Sequence, residues 1–346
     1  SRAATSRAAT ARDLRAVAAR LVAARERAEA SGNDVLAAAL AMVLGRLELT
    51  RGHARDAIAL LEDAVHGLTA GDPRNALGWA YAHLTRAHAL RGDVAAARGA
   101  LGQAEAIAAE RPSHLRLHQE LERARAWIEA AEARLPAARE RLHSVADAAG
   151  EALAAEAEAT YDALRFGAPP QPCAQRLAAL AARADSDLLD ACARHASALA
   201  APDAAAQLQA AERFAQLGLD LPAAEAAALA ARAFAAEGRE SSVRHASALM
   251  TKHAALCQGA ITPALIRIPE GARLTPRERE IAILAARGRT NAQIGRELVL
   301  SVRTVETYVL RACRKLGVDR RTGLAQVLTL DGAPERAASP QAQPTT

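Results

Sequence analysis

A chain of 346 residues has room for two or three domains and a sizeable buried core. Aromatic residues make up only 2% of it, and Ala, Leu, Arg, Glu and Gln, all strong helix formers, dominate the rest, so an all-α fold is expected. The net charge of +5 is carried unevenly, no apolar run approaches the roughly 20 residues that cross a bilayer, and no segment reads as a secretory signal. Cys173, Cys192, Cys257 and Cys313 lie far apart with no C-x-x-C pair, which argues against a disulfide framework or zinc knuckle and for a reducing, cytoplasmic setting.

In chain order, the first expectation is a helical array over residues 1–260. Arg51-Gly52-His53-Ala54, followed by Leu60 and Leu61, recurs forty positions on as Arg91-Gly92-Asp93-Val94 followed by Leu101. Leu135-Pro136-Ala137-Ala138, followed by Leu142, continues the series, and Leu221-Pro222-Ala223-Ala224 is spaced as two further steps. Each unit ends one helix at a Gly or polar turn and starts the next with small residues that allow close approach. The units resemble tetratricopeptide-like repeats with a longer period, and such arrays offer a concave surface to a partner protein or an effector. An irregular bundle is the plain alternative. The proline-rich stretch from Phe166 to Pro172 reads as a broken unit.

Several features of this region carry no chemistry. His114 and His118 have metal-ligand spacing but no supporting acid or thiol, and read as a solvated face. Cys192 and His195 have no third partner, so a structural role is expected for both. Trp79, Tyr81 and Trp127 read as repeat-core packing. Arginine outnumbers lysine so heavily, with only Lys252 and Lys315 present, that the excess reads as the mark of a GC-rich genome. Individual arginines before residue 270 therefore receive little weight. No phosphate-binding loop, metal cluster or nucleophile–base pair can be assembled, and no enzymatic activity is expected.

Residues 261–273 read as a linker. From Leu274 to Leu330 the chain holds eleven Lys+Arg against five Asp+Glu, whereas residues 1–273 hold 32 of each sign. Charge confined in this way points to a polyanion. Thr275, Pro276 and Glu278 form a capping box with a proline entry, opening a helix whose buried stripe is Ile281, Leu284 and Ala285 and which Gly288 ends. Thr290 and Gln293 open a second, short helix with Ile294 and Leu298 inward. Val299-Leu300 is a turn. Ser301 then caps a third helix that runs to Gly317, with Val305, Val309, Ala312 and Leu316 on one apolar face. A short helix, a tight turn and a longer helix with a basic outer face describe a helix-turn-helix.

The blocks LTPRERE (274–280), TNAQIGREL (290–298), SVRTVETYV (301–309) and RKLGV-RRT (314–322) together resemble the DNA-binding domain of LuxR-type transcriptional regulators. The resemblance implies a four-helix domain over 274–330 whose third helix enters the major groove of double-stranded DNA. It implies base contacts from Glu306, Thr307 and Leu310, with Ser301, Arg303, Thr304, Arg311, Arg314 and Lys315 along the phosphates and Thr290 and Asn291 reaching backbone. A fourth helix over Arg320–Leu330, with Leu324, Val327 and Leu328 apolar, is the implied dimer contact. Many members carry Lys or Arg where this chain has Glu306, a polar residue at Leu310 and His at Tyr308, so the target sequence is not transferred. A carboxylate at 306 can accept from a cytosine amino group, and Leu310 can touch a thymine methyl.

Repeats followed by this domain resemble the C-terminal part of the large ATP-binding, MalT-like LuxR regulators. The chain starts at Ser1 rather than Met, as expected of a piece of a longer protein. No cofactor is expected in this chain, and ATP would belong to such a parent. The expected partners are DNA, a second copy of the chain, an effector or protein on the repeats, and RNA polymerase; no membrane is expected. The alternative is a helical-repeat scaffold whose terminal unit docks to protein. The tail, 331–346, reads as disordered.

Overall fold

The computed structural model describes residues 14–72, 76–110, 115–265, 274–316, 318 and 321–328, and every regular element in those stretches is helical. His114, Gly317, Arg320, residues 266–273 of the expected linker and the tail lie outside the described residues. After α1 (Leu14–Ala30), the array consists of helical hairpins: α2 (Asp34–Arg51) with α3 (Ala54–Ala70), α4 (Leu77–Leu90) with α5 (Val94–Ala109), and α6 (Leu115–Ala131) with α7 (Leu135–Asp147). Then come α8 (Leu153–Arg165) with α9 (Pro170–Ala181), α10 (Asp187–Ala200) with α11 (Ala204–Gln216), and α12 (Asp220–Ala236) with α13 (Glu240–Leu256).

Local signals start these helices where the residues say they should. Asn33 accepts from the Leu36 N–H at 3.1 Å, Asp93 from Ala96 at 3.1 Å and Asp203 from Ala206 at 3.0 Å, each satisfying a donor that the first helical turn leaves open. Ala54, Ala57, Ala97 and Ala138, small residues that permit close approach of helices, are fully buried, as are Leu61, Leu142 and Phe214. Burying each of these larger side chains contributes about 1.5–3 kcal/mol.

The period differs from the expectation in its second half. The second helices of the hairpins start at 54, 94, 135, 170, 204 and 240, so the spacing shortens after α7. Leu221-Pro222 opens α12, the first helix of its hairpin, and is therefore out of phase with Leu135-Pro136, which opens α7. The proline-rich stretch is not a break either. Phe166 is buried, Gly167 turns the chain at φ +82°, and Pro170 occupies the first turn of α9, where its missing N–H costs nothing.

The array also closes on itself. His53, at the start of α3, lies between Glu48 (2.6 Å) and Asp220 (2.8 Å), and His253 of α13 holds the other oxygen of Asp220 at 2.7 Å. The side chain of Gln258 accepts from the backbone N–H groups of Arg55 (2.9 Å) and Asp56 (3.0 Å), capping α3 from two hundred residues away. Gly52 makes this contact possible. It sits at φ +96°, and a Cβ there would lie 2.2 Å from the Cβ of Leu221. The first helices of the hairpins thus face an enclosed interior, and the second helices lie outside. The expected concave surface is the inside of a ring.

The chain continues along this ring past residue 260. The Ile261 N–H donates to the Leu90 carbonyl at 2.7 Å, and Leu265 is buried in the array's core. Residues 261–265, expected in the linker, belong to the folded array.

Candidate nucleic-acid interface

The C-terminal unit is built from α14 (Pro276–Ala286), α15 (Asn291–Leu298), α16 (Val302–Leu316), a 3-10 turn (Arg321–Gly323) and α17 (Leu324–Val327). Both expected capping boxes are formed. Glu278 accepts from the Thr275 N–H at 2.7 Å while Thr275 accepts from Glu278 at 3.2 Å, and Thr290 and Gln293 repeat the pattern at 2.8 and 3.2 Å. Ser301 accepts from the Thr304 N–H at 3.0 Å, and the two hydroxyls are 2.7 Å apart. Ile281, Leu284, Ala285, Ile294 and Leu298 enclose the buried face of α16, on which Val305, Val309, Ala312 and Leu316 lie as expected; Cys313 joins them.

The turn between α15 and α16 is unusually tight. Its Val299 adopts φ 53° and ψ 49°, a left-handed conformation that β-branched residues rarely tolerate, and is 90% exposed. This lets the Leu300 N–H donate to the Gly295 carbonyl at 2.8 Å. It also brings the Leu300 carbonyl oxygen to 2.6 Å from where a Cβ on residue 295 would be. Only glycine fits there. The backbone of α15 and the start of α16 are locked together, which fixes how α16 projects.

The other side of α16 is turned to solvent. Arg303, Glu306, Thr307, Leu310, Arg311 and Arg314 are all exposed with the array in place, Leu310 by 65%. Thr307 is anchored by donating to the Arg303 carbonyl at 2.9 Å, and the Arg311 guanidinium stands 6.0 Å over the Tyr308 ring. The unit docks on the array through α14 rather than α16. Arg287 donates to the Ala131 carbonyl, and Ala133 joins the unit's own core. Across this seam, burial and the nearby Glu132 carboxylate raise the pKa of Glu297.

Residues 272–328 match the family model described as bacterial regulatory proteins, luxR family. The chain is also similar to the transcriptional regulatory protein LiaR of Bacillus subtilis (strain 168), at 46% identity over 52 residues, which are 15% of this chain and 25% of that relative. Residues 272–328 form a LuxR-family helix-turn-helix domain. The chain thus spans about a quarter of the length of the curated relative it matches.

Within the LuxR-family domain, Lys315 and Asn291 have partners of their own, and the expected dimer contact needs correction. Lys315 is not simply free for phosphate: its Nζ donates to Glu278 at 2.7 Å, tying the end of α16 to the start of α14. That hydrogen bond, together with the one from the Thr275 backbone, lowers the Glu278 pKa. The Asn291 oxygen accepts from Arg321, which also donates to the Arg289 carbonyl, so Asn291 is held from below. Leu324 and Leu328, expected at a dimer contact, are buried in the domain's own core, because the closing helix is a single turn folded back onto α14. The Val327 side chain lies outside the described residues. Sequence reasoning missed the anchoring role of Arg321, which had no periodic or capping signature.

In the array, Cys192 is buried and burial raises its thiol pKa, while burial pushes His195 down to about 4. Tyr161 hydroxyl and His195 Nδ1 are 2.9 Å apart. An un-ionised thiol beside a neutral imidazole serves packing rather than nucleophilic chemistry. Among the described residues, no group of His, Cys, Asp and Glu is arranged to hold a metal ion, and no helix is long and apolar enough to cross a membrane.

Proposed function

We propose that this chain is a sequence-specific, DNA-binding transcription regulator in which α16 lies in the major groove. Arg303, Arg311 and Arg314 meet phosphates, and Glu306, Thr307 and Leu310 face base edges. The observation that carries this reading is the solvent exposure of that whole face while the domain is docked on the array. Thr290, Ser301 and Thr304 sit at helix starts, where backbone N–H groups favour an anion. Two copies bind adjacent half-sites, meeting through surfaces other than Leu324 and Leu328. The array, whose hairpins are tetratricopeptide-like, serves as the effector and oligomerisation domain.

A salt series of gel shifts with genomic fragments tests the reading. Arg303→Ala should weaken binding to all sequences alike and reduce the slope of log affinity against log salt by about one. Glu306→Ala should cost about 1–3 kcal/mol at a single base pair. No salt-dependent shift with any fragment would refute DNA binding.

A further inference from the structure

The first helices of the hairpins line an open-mouthed cavity of about 300 Å³, at the lower end of the size of small-molecule sites. Its walls are apolar, with Leu49, Leu153, Leu188, Leu189, Leu221 and Pro222 among them. Its polar lining is different: Arg46, Arg86, Arg123 and Arg165 against Glu158 and Asp162. The carboxylates that complete the charge balance, Glu120 and Glu225, do not line the cavity. They engage Arg86 Nη1 (2.7 Å) and both Nε and Nη2 of Arg165 (2.7 and 2.9 Å) from behind. The surface presented to the cavity is therefore richer in guanidinium than in carboxylate. Trp127 is held in the middle of it, its ring centroid 4.9 Å from the Arg165 guanidinium and 5.8 Å from that of Arg86, and its indole N–H donates to Asp162 at 2.9 Å.

Arg86 is the informative residue. It is buried, with a side chain 7% exposed, and carries five N–H donors. Among the described residues it makes one hydrogen bond, to Glu120, and its Nε has no partner. A buried cation this poorly satisfied is costly in a packed interior and calls for an explanation. Burial and the neighbouring Arg123 lower its pKa, against Glu120, Asp162 and Glu158, which raise it. An apolar chamber bordered by one under-satisfied guanidinium, Arg86, beside Arg46 and Arg123, which are paired with Glu158 and Asp162, suits one class of occupant.

We propose that the ring cavity binds a small amphipathic carboxylate, with its tail against the leucines and its carboxylate at the Arg46–Arg86–Arg123 edge. This rests on the regulator reading only in making that molecule the effector; binding itself is measured without DNA. The full chain carrying Trp79→Phe, which leaves Trp127 as its single tryptophan, is titrated with octanoate, 1-octanol and octylammonium while its emission is followed. Octanoate should saturate at one per chain and bind at least about tenfold more tightly than either other probe, as charge-assisted hydrogen bonds imply. Arg46→Ala, at the exposed mouth, should weaken octanoate several-fold and leave 1-octanol unchanged. Ala157→Phe fills the cavity without touching the charges and should abolish the response. Octanol binding as tightly as octanoate, no saturable response, or undiminished octanoate binding by Ala157→Phe would each overturn the site. Gel shifts on the same Ala157→Phe protein report on DNA binding independently of that result.

Discussion

The ring's closing contact makes stability depend on pH in a defined window. His53 is hydrogen-bonded to Asp220 and to Glu48, and these two bonds raise its pKa from 6.5 to about 9 against the opposing effect of burial. Burial alone would raise Asp220, but the bonds from His253 and His53 hold it well below the usual carboxylate range. A raised histidine pKa stabilises the fold fully below the unfolded value of 6.5, and that contribution is lost as pH climbs through about 9. At about 1.4 kcal/mol per pH unit the shift corresponds to at most about 3.4 kcal/mol. The imidazole retains some solvent contact, so about 2 kcal/mol is the working figure. Urea unfolding of the wild type and of His53→Gln should be compared at pH 6.5 and 9. The wild type should lose about 2 kcal/mol more than the variant over that interval. Buried thiols such as Cys192 and Cys257, whose pKa values burial also raises, add a loss at the alkaline end, but it is common to both proteins and cancels in the difference. Equal losses in the two proteins would show that His53 carries no proton-linked stability.

Three further outcomes are expected. Gly52→Ala forces a methyl group against Leu221 at a left-handed backbone position and should cost about 2 kcal/mol or more, with faster amide exchange at α2 and α12; an unchanged unfolding midpoint would place the closing contact elsewhere. Gly295→Ala should loosen the turn before α16 and reduce DNA affinity without altering the pH dependence of the ring. Lys315→Met should lower the thermal stability of the C-terminal domain by about 0.5–1 kcal/mol while leaving the salt slope of DNA binding nearly intact, unlike Arg314→Ala; a slope change as large as that of Arg314→Ala would restore Lys315 to the phosphate-facing set.

The domain at the C-terminus was legible because its signals are local. Thr275 with Glu278, Thr290 with Gln293, Ser301 with Thr304, and the valine stripe of α16 each act within a few residues, so their positions in the chain are enough to place them. The ring was not legible, because its closure depends on pairs such as His53–Asp220 and Gln258–Arg55, which no periodicity connects. The same holds for the arginines before residue 270. Their net charge is cancelled within that region, and composition alone cannot separate Arg86, Arg123 and Arg165, which are buried against carboxylates, from an exposed excess. Leu221-Pro222 misled for a related reason: a proline near a helix start followed by alanines marks either helix of a hairpin equally well.

A circle admits only certain numbers of segments. An open superhelix can gain or lose a hairpin at little cost, because each unit touches only its neighbours, and it needs polar end units to stay monomeric. Here the contacts of His53 and Gly52 with Asp220 and Leu221 join the first hairpin to the last. Adding or deleting one hairpin would move Asp220 out of reach of His53 and change the interior diameter at the same time. Length in this part of the molecule is thereby set by geometry.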